Sequence, residues 1–209
     1  MGRVRVKICG ITRPEDAVSA ADAGVDAIGL VFYESSPRYV DSVKARAIIN
    51  ACPPFICKIG LFVDQDQESI ARILDEVPLD MLQFHGNETP EQCNRFEKPY
   101  IKAIRMSKGI DVQDYIGIYQ EASALLLDTH VIGVAGGTGR VFDWTTVPAD
   151  LKKPVVLAGG LTPENVFAAI RQVAPYAVDV SGGVETEKGI KDQQKIISFI
   201  RAVHDASII

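Results

Sequence analysis

The sequence predicts a (β/α)8 barrel, eight parallel strands alternating with helices. Three observations carry that expectation. Short apolar runs alternate with amphipathic segments from end to end. The runs repeat eight times at roughly 26 residues per unit, more strands than an open doubly wound sheet usually holds. No composition shift, linker or low-complexity stretch marks a second unit, so residues 1–209 are read as a single barrel domain.

The strands are expected at residues 4–9, 26–32, 56–63, 81–85, 100–105, 124–130, 154–160 and 177–183. Each is rich in Val, Ile or Leu and bounded by Gly, Pro, Asp or Asn, as buried parallel strands should be. Helical spacing fills most of the gaps. Ile70, Ile73, Leu74 and Val77 share a face, as do Val166, Phe167, Ile170 and Val173, and Ile196, Ile197, Ile200 and Val203. Thr12-Arg13-Pro14-Glu15 supplies a cap, an early proline and an acid before the first helix, and Thr162-Pro163-Glu164 repeats the arrangement before the seventh. The helix expected after Asp143-Trp144 is cut short by Pro148.

Composition narrows the function. Hydrophobic residues make up 47% and charged residues 23% of 209, which excludes disordered and collagen-like chains. A net charge of −5 argues against a nucleic-acid partner. No stretch approaches the roughly 18–20 apolar residues of a membrane helix. The basic N-terminal segment alternates and lacks the apolar core of a secretion signal, so a cytoplasmic location is expected. Cys9, Cys52, Cys57 and Cys93 form neither a CxxC pair nor a zinc spacing and read as free thiols in a reducing compartment.

Barrels carry their active sites at the C-terminal ends of the strands. Here those ends read Cys9-Gly10, His85-Gly86, Asp128-Thr129-His130, Ala158-Gly159-Gly160 and Ser181-Gly182-Gly183. Gly159, Gly160, Ser181, Gly182 and Gly183 are candidate phosphate-binding residues. Glycine lets backbone N–H groups approach an anion, and loops after the last two strands often form a phosphate site in this fold. Two tight turns without a ligand are the alternative. The glycine-rich segment 133–140 is neither a Walker A loop nor a dinucleotide fingerprint; it reads as a mobile loop over the site or a plain connection.

Strand alternation puts Arg3, Arg5, Lys7 and Cys9 on one face and Val4, Val6 and Ile8 on the other. Cys9 then points into the mouth with Lys7 one layer below, and a nearby cation favours the thiolate. A small buried hydrophobe is the alternative. Asp128 ends the apolar run Leu125-Leu126-Leu127. Partial desolvation there favours its protonated form and suits it to act as an acid; a structural acid is the alternative. Arg38 suits a carboxylate through its fork of donors; an ordinary surface arginine is the alternative. His85 reads equally as a substrate contact or a satisfied core histidine. Asp64 and Asp179 close strands, with open roles.

Taken together, these residues resemble the phosphoribosylanthranilate isomerase family of tryptophan biosynthesis. The likeness covers nearly the whole chain. It rests on Val6-Lys7-Ile8-Cys9-Gly10-Ile11-Thr12, Ser36-Pro37-Arg38-Tyr39-Val40, Gly60-Leu61-Phe62-Val63, Leu82-Gln83-Phe84-His85-Gly86 and Leu127-Asp128. It continues through Gly136-Gly137-Thr138-Gly139, Phe142-Asp143-Trp144, Ala158-Gly159-Gly160-Leu161-Thr162-Pro163-Glu164-Asn165-Val166 and Asp179-Val180-Ser181-Gly182-Gly183-Val184-Glu185. The resemblance implies a phosphate-binding barrel that rearranges N-(5-phosphoribosyl)anthranilate, a small-molecule substrate, without cofactor or metal. It implies Cys9 as general base, Asp128 as general acid and Arg38 as the holder of the anthranilate carboxylate; His85 and Asp179 are taken as further substrate contacts. One departure is visible: the family often has two serines where this chain has Ser181-Gly182, which removes one hydroxyl and keeps the backbone donors.

Two other readings compete. Lys58 and Lys102 lie within strands, and a desolvated lysine can form an imine, as in a Schiff-base lyase acting on a sugar phosphate. A non-catalytic sugar-phosphate-binding protein would keep the glycine loops but needs neither Cys9 nor Asp128.

Overall fold

The computed structural model describes residues 2–107, 109–129 and 141–208. Eight parallel strands close into a barrel in chain order: β1 (Arg5–Cys9), β2 (Ala27–Val31), β3 (Cys57–Phe62), β4 (Met81–Phe84), β5 (Tyr100–Met106), β6 (Ala124–Thr129), β7 (Val155–Leu157) and β8 (Ala177–Val180). The seam is the parallel pairing of β1 with β8, in which Lys7 lies opposite Asp179. The helices are α1 (Pro14–Asp22), α2 (Ser42–Ala51), α3 (Gln67–Glu76), α4 (Pro90–Cys93), α5 (Val112–Ile118), α6 (Val166–Val173) and α7 (Gln193–Ile208). Among the described residues, no helix is long and apolar enough to cross a membrane.

Alternation along each strand sorts the core into two. Val6, Ile8, Ile28, Leu30, Leu82, Phe84, Leu125, Leu127, Val178 and Val180 face outward and pack with helix residues such as Ile48, Ile70, Ile170, Ile196 and Phe199. Ala27, Ile59, Ile101, Ala103, Ala124, Leu126, Val156, Ala158 and Ala177 face inward and fill the barrel. Above them Cys9, Val31 and Leu61 form a small cluster near the mouth. A barrel interior is a packed core rather than a pore, so the polar residues on this inner face stand out.

Local chemistry fixes most helix starts. Asp41, Asp66 and Asp111 cap α2, α3 and α5, and Thr89 with Gln92 forms a capping box on α4. The first helix departs from the expected pattern. Arg13, not Thr12, is the cap residue of α1, and no side chain caps it. The Thr12 hydroxyl instead donates to the Gly189 carbonyl. That carbonyl belongs to a hairpin that sequence periodicity does not predict, β9 (Glu185–Glu187) paired antiparallel with β10 (Ile190–Lys191).

Other boundaries also move. The helix for which Thr162 is the expected cap starts three residues later than expected, at Val166, because a turn over 163–165 precedes it. Asn165 holds that turn by accepting from the Thr162 N–H and donating to the Gly160 carbonyl. Phe167 leaves the shared face of α6 and is 39% exposed. Between β6 and β7 the described residues hold only a 3-10 turn, Trp144–Thr146, capped by Asp143. The last two strands end at Leu157 and Val180, so the glycines expected at their ends lie in the loops. The 133–140 segment and His130 lie outside the described residues.

Candidate active site

The inner faces of the strands deliver the chemistry. Cys9 ends β1 and is 6% exposed. Below it the Lys7 ammonium donates to Asp179 Oδ1 at 2.9 Å, and both side chains are buried. Gly29 on β2 makes room for this layer. A Cβ there would lie 2.7 Å from Cys9 Sγ and 3.1 Å from Lys7 Nζ, so both atoms converge over one glycine.

The electrostatics of this layer differ from the simple sequence picture. Burial pushes the Cys9 thiol up, and the neighbouring Lys7 ammonium opposes that only in part. The cation expected to favour the thiolate is present, but desolvation outweighs it. Burial pushes the Lys7 ammonium down, yet Asp179 and Cys9 raise it on balance.

Across the barrel, Asp128 is the last inward-facing residue of β6. His85 Nε2 lies 3.0 Å from Asp128 Oδ2, and Gln83 Nε2 lies 2.8 Å from His85 Nδ1. Gln83 and His85 are two residues apart along one strand direction and therefore share the inner face. His85 is neither a free rim residue nor isolated in the core; its side chain is 18% exposed, and that of Asp128 15%. Asp179 acts electrostatically on Cys9, His85 and Asp128.

The two glycine loops meet beside it. The backbone of Leu161 and Thr162 lies directly against Gly183, where any Cβ would clash. Gly159 has φ +83° and packs its Cα face against Asp128 and Thr129, and Gly160 has φ +66°. The N–H groups of Gly160 and Gly182 donate to no backbone acceptor among the described residues. Donors left free at the meeting of two loops are suited to an anion.

Arg38 reaches the same rim from the loop after β2, its Nη2 beside Gly182. Its Nε and Nη2 donate to the two carboxylate oxygens of Glu185 at 2.7 and 2.6 Å. One face of the guanidinium fork is therefore occupied, and the end-on pair Nη1 and Nη2 is left for a ligand. Lys191 completes the cluster. Its fully buried ammonium donates to Glu185 Oε1 and to the Cys9 carbonyl, both at 2.7 Å. Burial raises the Glu185 carboxyl, but Arg38 and Lys191 overcome this and hold it below its ordinary value.

Several of the expected polar groups take other places. Asp64 accepts from the N–H and side chain of Asn87, while its own N–H donates to Glu88; it ties the loops after β3 and β4 together. Lys58 and Lys102 face the helix layer. Lys58 pairs with Asp80, and Lys102 is buried against Glu88 at 2.7 Å. Both amines are held by carboxylates off the inner face, which leaves neither of these two lysines for a Schiff base. Sequence reasoning missed Gln83, Lys191 and the Glu185 pairing. Gln83 carried a signal, an amide inside the apolar run Met81-Leu82-Gln83-Phe84 at the spacing of His85. Lys191 carried none, because its partner is set by the hairpin.

A family profile described as N-(5'phosphoribosyl)anthranilate (PRA) isomerase matches residues 6–202. The chain belongs to this family. It is similar to the N-(5'-phosphoribosyl)anthranilate isomerase of Pseudomonas fluorescens (strain SBW25), 58% identical over 207 residues that cover 99% of each chain. The protein of the same name from Pseudomonas syringae pv. tomato is 60% identical over 204 residues, 98% of this chain and 99% of that one. Among solved structures, phosphoribosyl anthranilate isomerase from Thermotoga maritima has a TM-score of 0.88 at 41% identity, covering 96% of this chain and 98% of that chain. A phosphoribosyl anthranilate isomerase in complex with reduced 1-(o-carboxyphenylamino)-1-deoxyribulose 5-phosphate has a TM-score of 0.85 at 41% identity, with the same coverage.

Proposed function

We propose that this chain rearranges N-(5-phosphoribosyl)anthranilate to 1-(2-carboxyphenylamino)-1-deoxyribulose 5-phosphate, an Amadori step of tryptophan biosynthesis. The observation that carries the reading is that Cys9 and Asp128 lie at the C-terminal ends of β1 and β6, on the inner face, with two touching glycine loops at the same end of the barrel. The likeness to an isomerase solved with a reduced form of that product supports the substrate class.

Asp128 gives its proton to the furanose ring oxygen. The ring C1′–O bond breaks, and the anilino nitrogen lone pair forms the iminium. Cys9 as thiolate takes the C2′ proton, giving an enolamine. The enolamine becomes the ketone when C1′ gains a proton and the C2′ hydroxyl loses one. The backbone N–H groups of Gly160 and Gly182, with Gly159, Ser181 and Gly183 shaping the loops, hold the phosphate. Arg38 offers its end-on pair of donors to the anthranilate carboxylate. His85, beside Asp128, and Asp179, paired with Lys7, are read as further substrate contacts. The reaction is assigned to the cytoplasm, where the four free cysteines suit a reducing compartment.

A turnover assay on phosphoribosylanthranilate tests the reading. Cys9→Ala and Asp128→Asn are each expected to lose about 10²- to 10⁴-fold in kcat. Both variants should still bind a phosphorylated product analogue in a calorimetric titration. Turnover close to wild type in either variant removes that residue from its role.

A further inference from the structure

We propose that Lys102 and Glu88, a buried ion pair off the inner face of the barrel, are positioning residues that aim the His85 ring at Asp128 by holding the N–H and the carbonyl of Gly86. This rests on the reading of His85 as a residue that meets the substrate beside Asp128.

The pair lies well inside the molecule. Lys102 is 2% exposed and Glu88 4%, and their charged atoms are 2.7 Å apart. On β5 Lys102 stands opposite Phe84, between the inward-facing Ile101 and Ala103, and therefore points toward the helices. Its ammonium reaches past the end of β4 and donates to the Gly86 carbonyl at 2.7 Å. The Glu88 carboxylate accepts from the Gly86 N–H at 2.9 Å and from the Asp64 N–H at 2.8 Å. One ion pair thus grips Gly86 at both its N–H and its carbonyl. Tyr119, just past α5, completes the cage, its hydroxyl donating to the Glu88 carbonyl at 2.9 Å.

This grip sets the direction of His85. Planar peptides leave two backbone torsions at each residue, and at His85 the planes on both sides are tied. The His85 N–H donates to the Phe62 carbonyl at 2.9 Å. The peptide that follows His85 is the one whose N–H Glu88 holds. The Cα–Cβ bond is aimed accordingly, and the ring meets Gln83 at 2.8 Å and Asp128 at 3.0 Å. The turn is also closely fitted. A Cβ on Gly86 would collide with Asp64, whose own backbone is left-handed at φ +49°.

A buried ion pair is a weak source of stability, since apolar residues of similar volume often do as well or better. Methionine or leucine would fill the space but would leave the two polar groups of Gly86 without their partners. A carboxylate and an ammonium side by side supply the acceptor and the donor that this one residue needs. What the pair contributes is geometry, one residue away from a side chain of the site. Geometry there matters, because a displacement of about 1 Å can cost about 10²-fold in rate.

Removing both charges together avoids leaving one buried alone, so the main variant combines Glu88→Met with Lys102→Met. The geometric readout is the ring itself. Three histidines give three ring signals in a chain labelled with ¹³C-histidine, assigned through His130→Gln and His204→Gln. At one fixed neutral pH the His85 signal should shift and broaden in the paired variant, while that of His204, exposed on α7, stays in place. Glu88→Asp keeps both charges, draws the carboxylate back by one methylene, and should also displace the His85 signal. A His85 signal unmoved in both variants overturns the proposal.

Kinetics separate positioning from loss of fold. At a temperature where circular dichroism shows the paired variant folded, its kcat/KM should fall by about 10- to 100-fold. In a His85→Asn background the same two substitutions should lower kcat/KM by less than about 2-fold, because the ring they aim is gone. Equal losses in the two backgrounds are what a merely structural role would give, and they overturn the proposal. If His85→Asn alone turns over like wild type, the reading of His85 falls instead, and the ring signal still decides whether Lys102 and Glu88 aim it.

Discussion

At Cys9 two forces oppose each other. Desolvation favours the neutral thiol, and the Lys7 ammonium one layer below favours the thiolate. Burial wins, so the free enzyme should hold mostly thiol at neutral pH. The sign then fixes an observable. The rate of Cys9 alkylation by iodoacetamide, followed by mass spectrometry of its peptide, should rise with pH through a midpoint above the ordinary thiol value of about 8.5. In Lys7→Met the midpoint should climb further, because the only neighbouring group of β1 that stabilises the anion is gone. A midpoint below the ordinary value, or one that ignores the loss of Lys7, contradicts this balance. Strand alternation makes the Cys9–Lys7 proximity legible in the sequence. The direction in which the thiol shifts is not legible there, because it depends on depth and on Asp179, which arrives from the far end of the chain.

Among the elements, strands and helices are legible in periodicity, and what escapes it is decided by tertiary contacts. Thr12 has the chemistry of a cap, yet its hydroxyl is drawn to Gly189 in a hairpin whose pairing no local pattern announces. Phe167 has the spacing of a core residue but projects past the edge of the buried stripe. Gln83 could have been found, since a polar residue in an apolar inner strand has to answer to a partner. The end of α6 holds a local strain that a single substitution relieves. Ala174 takes φ +52° and ψ +48°, the left-handed conformation, and its side chain is exposed. A Cβ in that region costs about 1–2 kcal/mol, and glycine is the usual residue there. Ala174→Gly should therefore stabilise the chain by about 0.5–1 kcal/mol after the added freedom of the unfolded chain is set against it. A urea titration checks this, and a lower midpoint would show the strain to be absent.

The whole molecule depends on how its ends are joined, and the seam between β1 and β8 carries charge at two levels. Inside the barrel Lys7 faces Asp179. At the mouth Glu185 neutralises both Arg38 and the fully buried Lys191, which in turn holds the Cys9 carbonyl. The carboxylate thus joins the loop after β2, the end of β1 and the β9–β10 hairpin. Replacing it by an amide leaves two cations without a counter-charge. Glu185→Gln should cost about 3–5 kcal/mol in urea unfolding at neutral pH, the range for breaking one side of a buried pair. Its pH dependence identifies the cause. The folded carboxyl is held below its ordinary value, so the unfolded chain binds the proton more readily. Stability from this group is full above the ordinary carboxyl value of about 4.3 and drains away as pH falls through the lower, folded one. The gap between wild type and Glu185→Gln should accordingly narrow as unfolding is repeated at acid pH. A gap of constant size down to about pH 3 would mean that Glu185 supports the fold by shape alone and that the seam is not held by charge.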